Sequence, residues 1–328
     1  MACKCFGERV EKKMSPFFSV VIPLYNKADT IERTLRSVQA QKCRDFELIV
    51  VNDGSTDNSL EVVGNLSNEI PLQIIDKPNG GVSSARNAGA CASKGRFIAL
   101  LDGDDVWFPE HLERLEKAIH KYPEVKFFGS GYQRISGKWI YFTIPWGGYK
   151  ICDVFSCFKW GQPINSSTVL IDKDIWNIVG GFDERFSFYE DYEFFFRVGR
   201  VTKCCVVQKV SASYMTDATE QATKKRWVVD RTTRPHFAYI DSLIESSSDS
   251  SEMIGFLSVQ IGLLVIGMYT NKQYSALKEL RENFPNAFTK CWNLRFLLKG
   301  GLLCEVYTIL FKYLYKIRCH LIIWRKHA

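Results

Sequence analysis

The stretch Phe97-Ile-Ala-Leu-Leu-Asp-Gly-Asp-Asp105 decides how this 328-residue chain is read, because an apolar run ends abruptly in the carboxylates Asp102, Asp104 and Asp105. A short, uninterrupted apolar run fits a strand buried on both faces. The turn that follows, relaxed by Gly103, can aim hard oxygen ligands two residues apart at one divalent cation that keeps open positions for phosphates. The same residues also suit an acidic turn ahead of a helix, with Pro109 near that helix's first position. The turn alone does not choose between these roles.

Further apolar runs lie upstream at Phe18–Ile22, Phe46–Val51 and Leu72–Ile75, separated by segments of helical period. The spacing predicts helices starting near Thr30, Asp57, Ser83 and Pro109. This alternation predicts an α/β fold with a mainly parallel, doubly wound, Rossmann-like sheet. Ligands of such sheets bind beyond the carboxyl ends of the strands. Pro23-Leu-Tyr-Asn26, Asn52-Asp-Gly-Ser-Thr-Asp57 and Asp102–Asp105 all fall there, so one crevice collects them. Later strand-like runs at Val125–Phe128, Lys138–Phe142 and Thr168–Ile171 predict a mixed sheet edge and a second half-site.

Composition agrees with a folded globular chain, at 46% hydrophobic and 24% charged residues. The eleven cysteines form no C-x-x-C pair, which points to a reduced, cytosolic compartment. The first residues lack the apolar core of a signal peptide. Residues 290–328 carry eight basic side chains against the acid Glu305, a surplus that matches the whole formal charge of +7. There Val306, Leu310, Tyr313, Ile317, Leu321 and Trp324 recur every three or four residues, while Lys312 and Lys316 lie on another side. That pattern predicts a basic amphipathic helix, either lying on an anionic membrane or packed on the domain with its basic face in water. No nucleic-acid motif accompanies the charge. Ser246–Ser251 reads as a linker, and Met253–Tyr269 and Tyr274–Asn283 as helices. Met253–Tyr269 includes Ser258 and Gln260 and falls short of the ~20 apolar residues needed to cross a bilayer.

Four motifs occur in order: Ser19-Val-Val-Ile-Pro-Leu-Tyr-Asn26, Val51-Asn-Asp-Gly-Ser-Thr-Asp57, Gly80-Gly-Val-Ser-Ser-Ala-Arg-Asn-Ala-Gly89 and Leu101-Asp-Gly-Asp-Asp105. Together they resemble the glycosyltransferase family 2 pattern. The resemblance implies a GT-A fold, a nucleotide-sugar donor, a divalent metal (Mn2+ or Mg2+) and inversion at the anomeric carbon. It places Pro23 and Tyr25 in the base pocket and makes Asp53 an acceptor for the base, a pairing of aromatic face and carboxylate that suits uracil. Tyr25 also reads as a packed loop aromatic. Arg86, near the start of the helix after Gly80-Gly81, could reach back to the base or diphosphate, or form a surface ion pair. Asp104 takes direct metal contact, and Asp102 the ribose hydroxyls or a metal-bound water. Asp57 reads better as a helix cap.

Downstream, Gly180-Gly-Phe-Asp-Glu184 is followed by Glu190-Asp191, which opens the aromatic run to Arg197. This matches the family's acidic pair, with Asp191 in the position of the base that deprotonates the acceptor. The bland alternative is that both acids merely start a helix. Trp107, Trp160 and Asn165 are candidates for the acceptor site; core packing explains Trp107 almost as well.

The expected organisation is therefore a tail over 1–14, a GT-A domain over 15–235 and a helical region over 236–328. The domain divides into a nucleotide-binding half at 15–123 and an acceptor half at 124–235. The expected activity is transfer of one hexose or N-acetylhexosamine from a UDP-sugar to a glycan or lipid-linked acceptor in cell-surface polysaccharide biosynthesis. The expected place is the cytoplasmic face of the cell membrane. The rival is a nucleotide-binding or membrane-scaffold protein that kept the fold without the reaction. A nicotinamide-dependent dehydrogenase fails, since Pro23-Leu-Tyr-Asn26 stands where G-x-G-x-x-G is needed. Arg226-Trp227 resembles the end of the processive synthase motif, but Thr223 stands in place of its Gln, so single addition is expected.

Overall fold

The computed structural model describes residues 15–137, 139–142, 148–158, 162–186, 189–216, 238–242, 245, 273–285 and 323–325. The upstream apolar runs form β1 (Phe18–Leu24), β2 (Phe46–Asp53), β3 (Gln73–Lys77) and β4 (Phe97–Leu100). Between them lie α1 (Ile31–Gln39), α2 (Ser59–Leu66) and α3 (Val82–Ala92). All pairings among these strands are parallel, in the order β4-β1-β2-β3. Their side chains alternate between two apolar layers, as a two-residue period requires. Val20, Ile22 and Leu24 pack with Leu35 and Val38 of α1. On the opposite face Val21 packs beside Ala90, and Ile49 and Val51 beside Ala85, all on the α3 side. At Gly89 of α3 a Cβ would lie 2.3 Å from Val21 Cγ1 and 3.2 Å from Val51 Cγ2, so the helix rests directly on the sheet.

The later part adds β5 (Val106–Trp107), α4 (His111–Lys121), β6 (Phe127–Ser136), β7 (Trp139–Phe142), β8 (Tyr149–Cys152) and α5 (Val154–Phe158). A 3-10 turn (Ser166–Thr168) leads into β9 (Val169–Asp172), followed by α6 (Lys173–Val179), α7 (Glu190–Val201) and β10 (Cys204–Met215). The described chain closes with α8 (Tyr274–Asn283) and β11 (Ile323–Arg325). β9 joins β4 antiparallel, and β6 joins β9 the same way, which gives the predicted mixed edge. β10 runs parallel to β6 and pairs antiparallel with β8 and then with β5, with register shifts between Val207 and Ala212. In α7 Phe194, Phe195 and Phe196 are all buried, and Phe194 stacks on Phe182 with ring centroids 4.2 Å apart. Burial of each such ring stabilises by on the order of 2 kcal/mol, which fixes the helix whose first turn carries Glu190 and Asp191.

Some expectations need correction. A short strand, β5, separates Asp105 from α4, because Val106 and Trp107 pair with Ser213 and Ala212 of β10. Trp324 lies in β11, antiparallel to β7, and not in a terminal helix. Main-chain groups on a sheet edge offer pairing that a helix end cannot match, and Ile and Trp favour strands. The rest of the expected basic helix, the Ser246–Ser251 linker and Met253–Tyr269 fall outside the described residues; α8 has the expected bounds. No helix among the described residues is long and apolar enough to cross a membrane. The all-reduced reading of the cysteines meets one exception, a Cys152–Cys157 disulfide, while Cys43, Cys91, Cys204 and Cys205 are free.

Candidate active site

The loops at the ends of β1 and β2 are stitched together. Asn26, in the left-handed region at φ 50°, donates its N–H to Ser55 Oγ and accepts from Thr56 N at 2.8 Å. Lys27 N donates to Ser59 Oγ, and Ala28 N to Asp57 Oδ2. Asp57 also accepts from Ser59 N, so it holds the start of α2. Burial pushes its carboxyl up, but the hydrogen bonds from Ser59 and Ala28 outweigh that and hold it below the ordinary value. Beside this frame Tyr25 is 40% exposed, which leaves its ring open for stacking.

Asp53 ends β2 within a nest of donors. Its Oδ1 accepts from Lys77 Nζ at 2.6 Å and Gly80 N at 2.9 Å, and its Oδ2 from Gly81 N at 2.8 Å. Gly81 has φ 88°, a conformation that L side chains rarely adopt. A carboxylate has about four acceptor positions, so one on Oδ2 stays available for a ligand.

The turn after β4 is gripped by α1. Thr30 Oγ1 donates to Gly103 O, Arg33 Nη2 to Asp104 O and Thr34 Oγ1 to Asp105 O. The three carboxylates then part ways. Asp105 is fully buried and accepts from Ser167 Oγ and from Met215 N at 3.0 Å, which ties the turn to β10. Burial, with Asp104 and Asp102 nearby, pushes Asp105 well above the carboxylate range. Asp104 meets Lys27 Nζ at 2.6 Å, with side-chain exposures of 12% and 15%. Burial raises the Asp104 carboxyl, and Lys27 opposes that rise. Asp102, the most exposed of the three, accepts from Arg86.

Arg86 is the pivot of the site. It sits one turn into α3, 3% exposed, with Nη2 2.7 Å from Asp102 Oδ1 and Nη1 3.0 Å from Glu190 Oε1. Its Cζ lies 5.0 Å from the centroid of the Phe182 ring. Burial alone would weaken the charged form, but Asp102 and Glu190 outweigh it and lock the guanidinium as a cation. Arg86 thus bridges the β4 turn and the start of α7, a buried ion pair and not the surface pair that the sequence also allowed.

On α7 the two acids differ. Glu190 takes the guanidinium, whereas Asp191 is half-buried and accepts from its own Tyr192 N–H at 2.8 Å and the Gln162 amide at 3.5 Å. Burial first, and the neighbouring Glu190 second, push the Asp191 carboxyl up to about 7, against the pull of Arg86. A base poised there can take a proton near neutral pH.

Among the acceptor candidates, Trp107 needs correction. It is 2% exposed, stacks on His111 at 4.2 Å and donates Nε1–H to Ser167 O, so no ring face is left for a sugar. Trp160 lies outside the described residues. Asn165 is buried just before the Ser166–Thr168 turn, and its Oδ1 has no hydrogen-bond partner among the described residues. Sequence reasoning missed Lys27, Lys77 and Gln162; Ser167 lies in the Asn165–Thr168 segment proposed for the acceptor site, but here its hydroxyl serves Asp105. The signal for the α1 grip was present, since Thr30, Arg33 and Thr34 share one helical face at spacings of three and four.

A metal fits the turn chemically. Among the described residues no cluster of three or more His, Cys, Asp or Glu side chains is arranged to hold one. Asp102 and Asp104 still offer only hard oxygens, and two carboxylates with phosphate oxygens and water meet the needs of Mg2+ or Mn2+.

The α/β sheet thus carries an acidic turn at its carboxyl edge, bridged through Arg86 to a second acidic pair. The profile described as Glycosyl transferase family 2 matches residues 19–173, and that described as Glycosyltransferase like family 2 matches residues 157–245. The chain belongs to glycosyltransferase family 2. It is 43% identical over 107 residues to the chondroitin synthase of Pasteurella multocida (strain Pm70), covering 32% of this chain but 11% of that protein. Its structure is similar to that of S. aureus TarS in complex with UDP-GlcNAc, with a TM-score of 0.65 at 18% identity, covering 93% of this chain and 91% of that one. It is also similar to the mannosyltransferase PcManGT of Pyrobaculum calidifontis in complex with GDP-Man and Mn2+, with a TM-score of 0.60 at 16% identity, covering 92% and 86%. At such identities the likeness concerns the fold, which is GT-A.

Proposed function

We propose that this chain transfers one sugar, with inversion, from a nucleotide-diphosphate sugar to a hydroxyl of a glycan or lipid-linked acceptor. The observation that carries the reading is the Arg86 bridge, which joins the Asp102 turn to Glu190 and leaves Asp191 beside it as a half-buried carboxyl pushed up to about 7. Asp191 takes the proton of the acceptor hydroxyl as that oxygen attacks the anomeric carbon, and the bond from that carbon to the diphosphate breaks on the opposite side. Arg86 holds Glu190 in place through its Nη1, and Asp53 and Tyr25 hold the base. Their pairing favours uracil, and the UDP-GlcNAc bound by TarS supports a uridine donor. A divalent cation held by Asp104 and Asp102 would neutralise charge on the departing diphosphate; the Mn2+ in PcManGT supports this. The name of the Pasteurella relative supports a polysaccharide product, and the basic residues of 290–328 support work at the inner face of a membrane.

The test is incubation of the purified chain with a panel of nucleotide sugars and Mn2+, recording which donor releases its nucleotide. Release from a single donor class supports the reading. Binding of nucleotide without release from any donor, with or without simple sugar acceptors, favours the inactive scaffold.

A further inference from the structure

Each carboxylate of the 102–105 turn has a different kind of partner. Asp102 meets a guanidinium fixed at both ends, and Asp105 meets a hydroxyl and a main-chain N–H. Asp104 alone meets a lysine, whose ammonium is a compact charge on a flexible four-carbon stem. The main chain of that lysine is anchored, since its N–H binds Ser59 Oγ at 2.7 Å and its carbonyl accepts from Thr30 N and Ile31 N at 2.9 Å each. With the main chain fixed in this way, any change of direction falls to the side chain of Lys27. Its position in the chain is also telling, two residues after Tyr25 and in contact with Asp104, on the path between base platform and metal turn.

A divalent cation arriving at the Asp104 carboxylate meets an ammonium already there, in a pocket where both side chains are mostly shielded from water. Two cations on one shielded carboxylate repel strongly. The diphosphate of the donor offers that ammonium a further anionic partner. We propose that Lys27 is a tethered counter-ion of Asp104 that a divalent cation displaces and the donor diphosphate then takes up, so that cation and donor bind cooperatively. This rests on the nucleotide-sugar reading above and adds a positioning role that the family motifs do not assign to Lys27. The pair also keeps Asp104 from facing Asp102 as an uncompensated charge when no donor is present.

The experiment is Mn2+ titration followed by electron paramagnetic resonance, with and without UDP, on the wild-type chain, Lys27→Met and Lys27→Arg, each checked for folding by its thermal melting curve. Wild-type should bind Mn2+ weakly alone and roughly tenfold more tightly with UDP, a common size of coupling between sites. Lys27→Met should bind Mn2+ alone roughly tenfold more tightly than wild-type and lose most of the gain from UDP, whereas Lys27→Arg should keep that gain. Unchanged Mn2+ affinity in a folded Lys27→Met would overturn the proposal. So would UDP binding that needs no Mn2+ and is lost in Lys27→Met, since Lys27 would then replace the metal outright. A wild-type chain that binds neither UDP nor Mn2+ would instead sink the nucleotide-sugar reading itself.

Discussion

The two acidic regions of the site are charged in opposite ways. At the β4 turn, Asp102 and Asp104 each carry a basic partner within 2.7 Å, so the turn is balanced before any ligand arrives. At the start of α7, Glu190 takes the cation and Asp191 is left half-buried without one, its carboxyl pushed up to about 7. The difference teaches that a shared motif chemistry, two nearby acids at a chain turn, can be set for different work by who else is buried there. Paired carboxylates can exchange partners; an unpaired, partly buried one whose carboxyl is pushed up can pick up a proton and later release it.

The strongest way to break this contrast is Asp191→Asn. It should lower the rate of transfer by about a thousandfold, within the range for loss of a general base, while calorimetric affinity for the donor changes little. A variant with full transfer rate would remove Asp191 from the role. Next, Arg86→Met leaves Asp102 and Glu190 without their shared cation, and loss of one partner from a buried pair costs about 3 to 5 kcal/mol. Urea unfolding should show this destabilisation, and a loss below about 1 kcal/mol would mean that the bridge is not formed in solution. The pH profile sharpens the comparison with the smallest perturbation. Because the base works deprotonated, kcat should rise about tenfold per pH unit below 7 and level off above it. The stability trend runs the other way. The Asp191 carboxyl is raised from 3.8 to about 7, so the folded chain holds this proton more tightly than the unfolded one. That contribution is fully present below pH 3.8 and is lost as pH rises through about 7. A pH-independent kcat between 5 and 8 would contradict the assignment.

The parallel half of the sheet was legible because strands covered by helices on both faces need unbroken apolar runs, and Phe18–Leu24 and Phe97–Leu100 supply them. The acids at the strand ends were legible because little else explains so many of them there. Their partners were not. Lys27 lies 77 positions from Asp104, and Arg86 lies 104 from Glu190, separations over which no local period carries information. Trp107 misled for a related reason. An aromatic beside an acidic turn looks the same in sequence whether its N–H faces a ligand or, as here, the carbonyl of Ser167. β11 escaped because Trp324 continues a helical spacing that the unpaired edge of β7 overrides.

The missing side chain of Gly89 reaches further than its packing role. It sets how deep α3 settles onto Val21 and Val51, and Arg86 rides on the same helix one turn earlier. A methyl group at this position would lift the helix and shift the guanidinium away from one or both acids. The placing of a buried charge thereby depends on a contact between hydrocarbons. An exchange in that hydrophobic wall would move the guanidinium while leaving every polar residue of the site in the sequence.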